Sequence, residues 1–429
     1  MKNKQSELLA GVLSIIPGVG QLYNRQIIKG FLFMLIGLLF SIEMYFWGFN
    51  AFQNFITLGS TPFVDHSLFM LIQGTMQMVL TVIFICFWFF NIRDAVKVAK
   101  QYNAGLPANK SWKSTLKSVY ENGFPYLLTG PALIMMVISI VFPVLVTIFM
   151  AFTNYDFKHI PPANLLDWIG INNFSNIFTL ASYQKTFVKV FSWTLIWTLL
   201  STSLQLILGV SLAVVSNQSF IKFKRLFGVI YLLPWAVPAF ITIMSFSNIF
   251  NDTAGAINVQ VIPWLNHLPF VEIGSIPWKT DSFWSKTALI LIQGWLGFPY
   301  IYVMVTSILQ AIPEELYEAA KIDGASAFQS FRNITLPSIF LVAAPTFITQ
   351  YTGNFNNFSM IYLFNQGGPG SIGNNAGSTD ILISWIYKLT TGGSPQYSVA
   401  AAVTLMISGI VIVVSMISFK KTTAFEMED

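Results

Sequence analysis

Charge is what this chain of 429 residues has least of: Asp, Glu, Lys and Arg make up 10% of it, against 54% apolar and 16% aromatic residues. A water-facing surface draws on about 25% charged residues, so most of this surface faces lipid and a soluble protein is excluded. Cysteine is nearly missing. Cys86 stands alone, which rules out an internal disulfide framework, and its place inside an apolar run points to a packing role. Histidine is scarce too: His66, His159 and His267 fall in three different outer loops, and with no HExxH or CxxC spacing the chain offers no legible metal site. The dipeptide Gly-Lys occurs nowhere, so the chain lacks a phosphate-cradling P-loop and any ATP hydrolysis belongs to another polypeptide. Within the apolar runs the clearest charge is Glu43, near an outer end from which it can reach the interface, so carboxylate proton relays find little to build on. No internal repeat is visible, and an inverted-repeat carrier gains no support.

What the chain does have is long apolar runs. A helix needs about 20 apolar residues to cross a hydrocarbon core about 30 Å thick, because its backbone must bond internally there. About eight runs qualify: Gly30–Phe49, Leu71–Phe90, Pro125–Phe152, Val190–Val215, Leu226–Phe250, Ala288–Leu309, Ile339–Phe364 and Val399–Phe419. With the N-terminus in the cytoplasm, 17 of the 23 Lys and Arg fall on the inner side. That asymmetry is what the positive-inside rule expects of a multi-pass chain with both termini cytoplasmic. The net charge of +5 then reflects topology, not nucleic-acid binding. The first run is too long for a signal-peptide core and is expected to be retained. Ahead of it, Pro17–Gly30 reads as a short amphipathic or re-entrant anchor at the inner face.

The expected fold is an all-α integral membrane protein. Residues 1–122 form a two-span extension ending in a basic cytoplasmic linker, and residues 123–429 form a six-span domain. Three loops of moderate length lie outside, Thr153–Lys189, Asn251–Lys286 and Asn365–Ser398, the last rich in glycine and proline that favour turns over regular structure.

One inner loop is different. In EAAKIDGASAFQSFRNITLPS, Glu318 to Ser338, and the residues just before it stand four acids, Glu314, Glu315, Glu318 and Asp323. Burying them in lipid would cost on the order of 10 kcal/mol, so the segment sits in water. Pro313 suits a first helical position, Glu314 and Glu315 complement the positive end of the helix dipole, and Gly324 is placed to end the helix in a left-handed conformation. Ser326 with Gln329 forms a capping box that opens a second helix, which carries Phe328 and Phe331 and is expected to stop at Pro337. Small Ala319 and Ala320 allow another surface to approach closely, and exposed phenylalanines call for a cover. On these grounds alone, a linker packed on its own spans accounts for the loop as well as docking does.

Glu318-Ala319-Ala320, Asp323-Gly324-Ala325, Ile334, Leu336 and Pro337 resemble the EAA signature of permease subunits in binding-protein-dependent ABC importers. The resemblance covers the last six spans. LLPWAVPAF (Leu232–Phe240), QGWLGFPYIYVM (Gln293–Met304), GNFNNF (Gly353–Phe358) and NQGGPG (Asn365–Gly370) are similar to the larger, MalF-like permease subunit of the maltose/maltodextrin-type sugar transporters, and the two extra N-terminal spans fit that subunit as well. The resemblance implies a six-helix type I permease core whose loop at 313–337 couples to a separate ATPase through Glu318, Ala319, Ala320, Asp323, Gly324, Ala325 and Phe328. It implies sugar contacts at Trp235, Ala239, Gln293, Leu296, Gly297, Tyr300, Gly353, Asn354 and Asn357. It also implies a second permease subunit, an ATPase dimer that binds ATP and Mg, an extracellular or periplasmic sugar-binding protein, and no cofactor or catalysis on this chain. The residues agree with a sugar path: aromatic faces and neutral amides recognise polyols, and Pro234, Pro238, Gly297 and Pro299 can break helices at mid-membrane to open a cavity.

Two departures from the pattern stand out. Only about 37 residues, Thr153–Lys189, follow the third span, where that subunit carries a long outer domain in some bacteria. Ala239 and Gly353 are smaller than the maltose pattern expects, which leaves another oligosaccharide or glycoside open. An ion-coupled carrier and a membrane-embedded enzyme remain the alternatives of other classes.

Overall fold

The computed structural model describes residues 5–105, 112–218 and 220–421, and among these residues there is no strand. Among the described residues seven helices are long and apolar enough to cross a membrane: Ile27–Thr57, Ser67–Asn103, Gly123–Met150, Ala181–Ser216, Ser282–Ala311, Ala327–Asn365 and Tyr397–Lys420. The run expected to span at Leu226–Phe250 is broken into Lys224–Tyr231, Leu233–Ala236 and Ala239–Ile249. The physical cause is proline. Val237 is extended (φ −118°, ψ 139°), as the residue before Pro238 is forced to be, and Pro234 occupies the start of its own short helix.

Contacts divide the chain into two compact units, Met1–Gly170 and Ile171–Asp429, and the third span packs with the first two. In the first unit Phe55, Leu58, Leu71 and Leu166 form a buried cluster against Val146, Phe149 and Trp168. Phe40 stacks on Phe84 at 3.8 Å, and Glu43 accepts a hydrogen bond from Gln77 Nε2 at 3.1 Å, which accounts for a carboxylate inside a span. The described residues ahead of the first span include two short helices, Glu7–Leu13 and Val19–Tyr23, with Asn91 as the hub: its amide donates to the Ser14 carbonyl and its oxygen accepts from Gly18 N–H. Leu8, Val12, Ile15 and Ile16 stay exposed there. Cys86 is exposed on its span rather than packed in a core.

In the second unit the 36-residue helix Ala181–Ser216 lies along the 30-residue helix Ser282–Ala311. At about 1.5 Å per residue each exceeds the hydrocarbon thickness, so both carry polar turns beyond it. Lipid supplies no hydrophobic drive between helices, and close approach over small residues does the work instead. A Cβ on Gly297 would fall 1.9 Å from Gln205 Oε1. Two apolar clusters fill the rest. One, around Trp193, Trp197, Trp278, Leu289, Ile292 and Phe364, draws on the loops at 251–286 and 365–398; the other, around Phe298, Ile301, Val305, Ile339 and Phe347, lies toward the polar loop at 313–337.

Pro299 and the neighbouring Gly297, expected as breakers, do not break their helix, which runs unbroken from Ser282 to Ala311. The loop at 365–398 is less irregular than its composition suggests. Glycines at positive φ (Gly367, Gly370, Gly373) make its turns, but Leu382–Thr391 is helical. Asp380 anchors the two halves: its side chain is fully buried, pairs with Lys388 Nζ, and accepts from Gly377 N–H at 2.6 Å and Ser384 Oγ at 2.8 Å. Burial pushes its carboxyl above the ordinary value, while Lys388 and the two hydrogen bonds pull it back.

Candidate functional site

The nine residues implied as sugar contacts come from three stretches. Gln293, Leu296, Gly297 and Tyr300 recur at the spacing of one helix face on Ser282–Ala311. Trp235 and Ala239 flank the proline break, and Gly353, Asn354 and Asn357 sit where the Leu336–Phe355 helix gives way to Phe358–Asn365. Asn357 causes that second start, since its side chain accepts from Met360 N–H as an N-cap.

The structure brings some of these together and separates others by exposure. Trp235 and Tyr300 form an aromatic pair, centroids 6.1 Å apart and 39° between planes, with half of Trp235 exposed (51%). Ala239 is exposed, and a Cβ on Gly353 would meet nothing within 4 Å. These four residues are free to meet a ligand. Gln293 is buried and half-buried Asn357 donates to its Oε1 at 3.0 Å. Asn354 is buried as well: its Nδ2 donates to Thr202 Oγ1 at 2.9 Å and its carbonyl accepts from Trp197 Nε1 at 2.8 Å. Leu296 packs against the tryptophan cluster and Gly297 against Gln205.

Sequence reasoning missed the partners that organise the amides. Gln293 Nε2 donates to Gln205 Oε1 at 3.3 Å, and Gln205 Nε2 donates to Gln350 Oε1 at 3.0 Å. The result is a ladder of four amides, Asn357–Gln293–Gln205–Gln350, crossing three helices. Each rung is worth about 0.6 kcal/mol on average in a membrane, so the ladder fixes register more than it adds stability. The signal was present: Gln205 and Gln350 are amides inside apolar runs, where a polar side chain is expensive unless paired.

The polar loop at 313–337 forms as a helix, turn and helix. Glu314–Ile322 ends in a Schellman turn: Gly324 takes φ +78° and donates to the Lys321 carbonyl, while Ala325 N–H donates to the Ala320 carbonyl at 2.9 Å. Ser326 and Gln329 make both hydrogen bonds of the capping box. Tyr317 OH lies 2.9 Å from Thr335 Oγ1, tying the first helix to the base of the next span. Glu318, Ala319, Asp323, Gly324 and Phe328 are exposed; Ala320 and Ala325 are half-buried.

Two expectations fail here. Phe331 is half-buried rather than exposed, and Pro337 does not stop the second helix. Instead the chain stays helical from Ala327 into the span through a π turn, Phe331–Thr335, with Pro337 in the first turn of the Leu336–Phe355 helix. The wider turn relieves the clash that proline makes with the carbonyl four residues back. The same arrangement precedes Pro143, after Val137–Val141, and Pro263, after Ile257–Val261. Among the described residues no group of three or more His, Cys, Asp or Glu could hold a metal ion.

Residues 205–420 match the family described as binding-protein-dependent transport system inner membrane component. The chain is 64% identical to the maltodextrin transport system permease protein MdxF of Bacillus subtilis over 98% of its own length and 97% of that protein's. It is 46% identical to the galactooligosaccharides transport system permease protein GanP of the same organism, over the whole of both chains. A crystal structure of a bacterial ABC transporter involved in alginate import superposes with a TM-score of 0.60, covering 73% of this chain and all of that one; at 20% identity this likeness speaks for the fold alone.

Proposed function

Since the chain belongs to the family of binding-protein-dependent transport system inner membrane components, we propose that it carries maltodextrins inward as the larger of two permease subunits in an ABC importer. It is a multi-span membrane protein and a transport subunit rather than an enzyme. In this reading both termini are cytoplasmic and a second permease completes the path. An extracellular or periplasmic binding protein delivers the sugar, and an ATPase dimer binds ATP and Mg. The exposed face of Glu314–Ser330, with Glu318, Ala319, Asp323 and Phe328 outward, meets the ATPase, which covers its unpartnered Phe328. Closure of the ATPase dimer moves this loop, and the cavity between the permeases alternates between the two faces.

Inside the path Trp235 and Tyr300 stack on pyranose rings, and Asn357 meets hydroxyl groups. Ala239 and Gly353 leave room for the chain, while Gln293, Asn354, Leu296 and Gly297 hold the wall in register. The observation that carries the maltodextrin assignment is that the likeness to the maltodextrin permease runs the length of the chain, first two spans included. The equally complete match to a galactooligosaccharide permease favours that substrate as the second reading.

Reconstitution in liposomes with a second permease, the ATPase and the binding protein tests the proposal. Maltodextrin should stimulate ATP hydrolysis and enter the vesicles, and substitution of Tyr300 or Asn357 should change uptake or its dependence on the sugar. Uptake by this chain alone on an ion gradient would overturn it.

A further inference from the structure

A cavity of about 580 Å³ opens at the outer ends of the Ala239–Ile249 and Phe358–Asn365 helices, away from the nine residues of the sugar path. Its size lies within the ordinary range of ligand pockets, about 300–1,000 Å³. Ser247, Lys279, Tyr362, Phe364 and Gln366 line it. Lys279 is the cation among its described lining residues. Its Nζ donates to Ser247 Oγ at 2.6 Å and lies 5.5 Å from the centroid of the Phe364 ring. The carboxylate that acts on it, Asp252, is taken up elsewhere, accepting from the backbone N–H of Lys279 at 2.7 Å and of Thr280 at 3.1 Å and from Thr280 Oγ1 at 2.7 Å. An ammonium has three N–H donors, and the hydrogen bond to Ser247 uses one of them. Burial accordingly pulls Lys279 below the usual lysine range, with Asp252 pulling back.

The other walls are neutral. Tyr362 stacks on Phe358 at 5.0 Å and presents an aromatic surface. Gln366 ends the Phe358–Asn365 helix as its C-cap, in a left-handed conformation at φ +53°. One cation, an amide and aromatic faces suit a ligand that offers many hydroxyl groups and little charge; an anion would find a single counter-charge with a carboxylate close behind it.

We propose that this cavity is a second carbohydrate site, where Lys279 and Gln366 take hydroxyl groups of the far end of an oligosaccharide whose leading rings lie at Trp235 and Tyr300. The inference rests on the sugar-importer reading above and adds to it a dependence on chain length: a longer chain gains contacts at the outer cavity that a disaccharide lacks.

Uptake of maltose and maltotetraose by the complete reconstituted complex separates the two. Lys279→Met should raise the ratio of the maltotetraose KM to the maltose KM about tenfold, the size of one lost hydrogen bond to a charged group. Gln366→Gly, which keeps the left-handed turn and removes only the amide, should move the ratio the same way, and Lys279→Arg should largely preserve it. An unchanged ratio in both Lys279→Met and Gln366→Gly overturns the inference while leaving the importer reading intact. Equal KM rises for both sugars with weaker binding-protein association also overturn it, since the cation would then be receiving a protein carboxylate. Failure of the unaltered complex to take up either sugar overturns both.

Discussion

Replacing Lys388 by methionine removes the cation paired with Asp380 and keeps most of the volume. The Asp380 side chain has no exposed surface, and without Lys388 its carboxylate retains only the Gly377 N–H and the Ser384 hydroxyl. Breaking a buried pair by removing one partner costs about 3–5 kcal/mol. An independent bound agrees: the carboxyl can escape by taking up a proton, and from an ordinary value of 3.8 that costs about 4 kcal/mol at pH 7, at about 1.4 kcal/mol per pH unit. The bound shrinks to about 1.6 kcal/mol at pH 5.

The sign follows from linkage. In the variant the folded carboxyl has a raised pKa and holds its proton more tightly than the unfolded chain, so stability is greatest below the unfolded value and is lost as pH rises through the folded one. Reversible unfolding in mixed detergent micelles should therefore show Lys388→Met destabilised by about 3–4 kcal/mol at pH 7 and by half of that or less at pH 5. Asp380→Asn combined with Lys388→Met should recover most of the loss. A penalty below about 1 kcal/mol at pH 7, or one that does not change with pH, would refute the reasoning.

The two glycines assigned to the path should part company. Gly297→Ala places a methyl against Gln205 and should cost about 1–3 kcal/mol in the same unfolding assay, whereas Gly353→Leu, facing open space, should fold normally and impair uptake. At the inner loop Gly324→Val forces a β-branched residue to φ +78°, at a cost of about 1–2 kcal/mol, and should lower sugar-stimulated ATP hydrolysis. Phe328→Asp should leave the chain folded, because the ring is exposed, and should weaken co-purification with the ATPase; retention of full association would place the contact elsewhere. Gln205→Leu deprives Gln293 and Gln350 of a partner and should destabilise by about 1–2 kcal/mol, more than its share of two average rungs because two amides are left short.

Elements whose cause is local are legible in the sequence. The apolar runs locate seven spans because the cost of exposing backbone to lipid leaves a long apolar helix as the way across. The inner loop is legible down to its capping box and its left-handed glycine, since both depend on residues within three or four positions of one another. Features that depend on neighbours far along the chain are not. Gln293 and Asn354 have the chemistry of open ligands and are engaged by Gln205 and Thr202, 88 and 152 residues away. Pro299 reads as a breaker and is tolerated in a continuous helix, whereas Pro238 does break its helix; nothing in the dipeptides separates the two. The third span's union with the first two rests on Phe55, Leu71, Val146 and Phe149 meeting, which no local pattern announces.

The π turns ahead of Pro143, Pro263 and Pro337 carry a consequence for how such chains can change in length. A π turn holds one residue more than the α turn it replaces. That surplus residue marks a place where the chain can lose a residue while the side chains on either side keep their bearings. In Phe331–Thr335 this place lies between the exposed Phe328 and the buried Ile339. Matching helices residue by residue across relatives will slip by one wherever a partner lacks the proline and closes the turn. The inner loop can thus drift in sequence length while the surface it offers stays aimed in one direction.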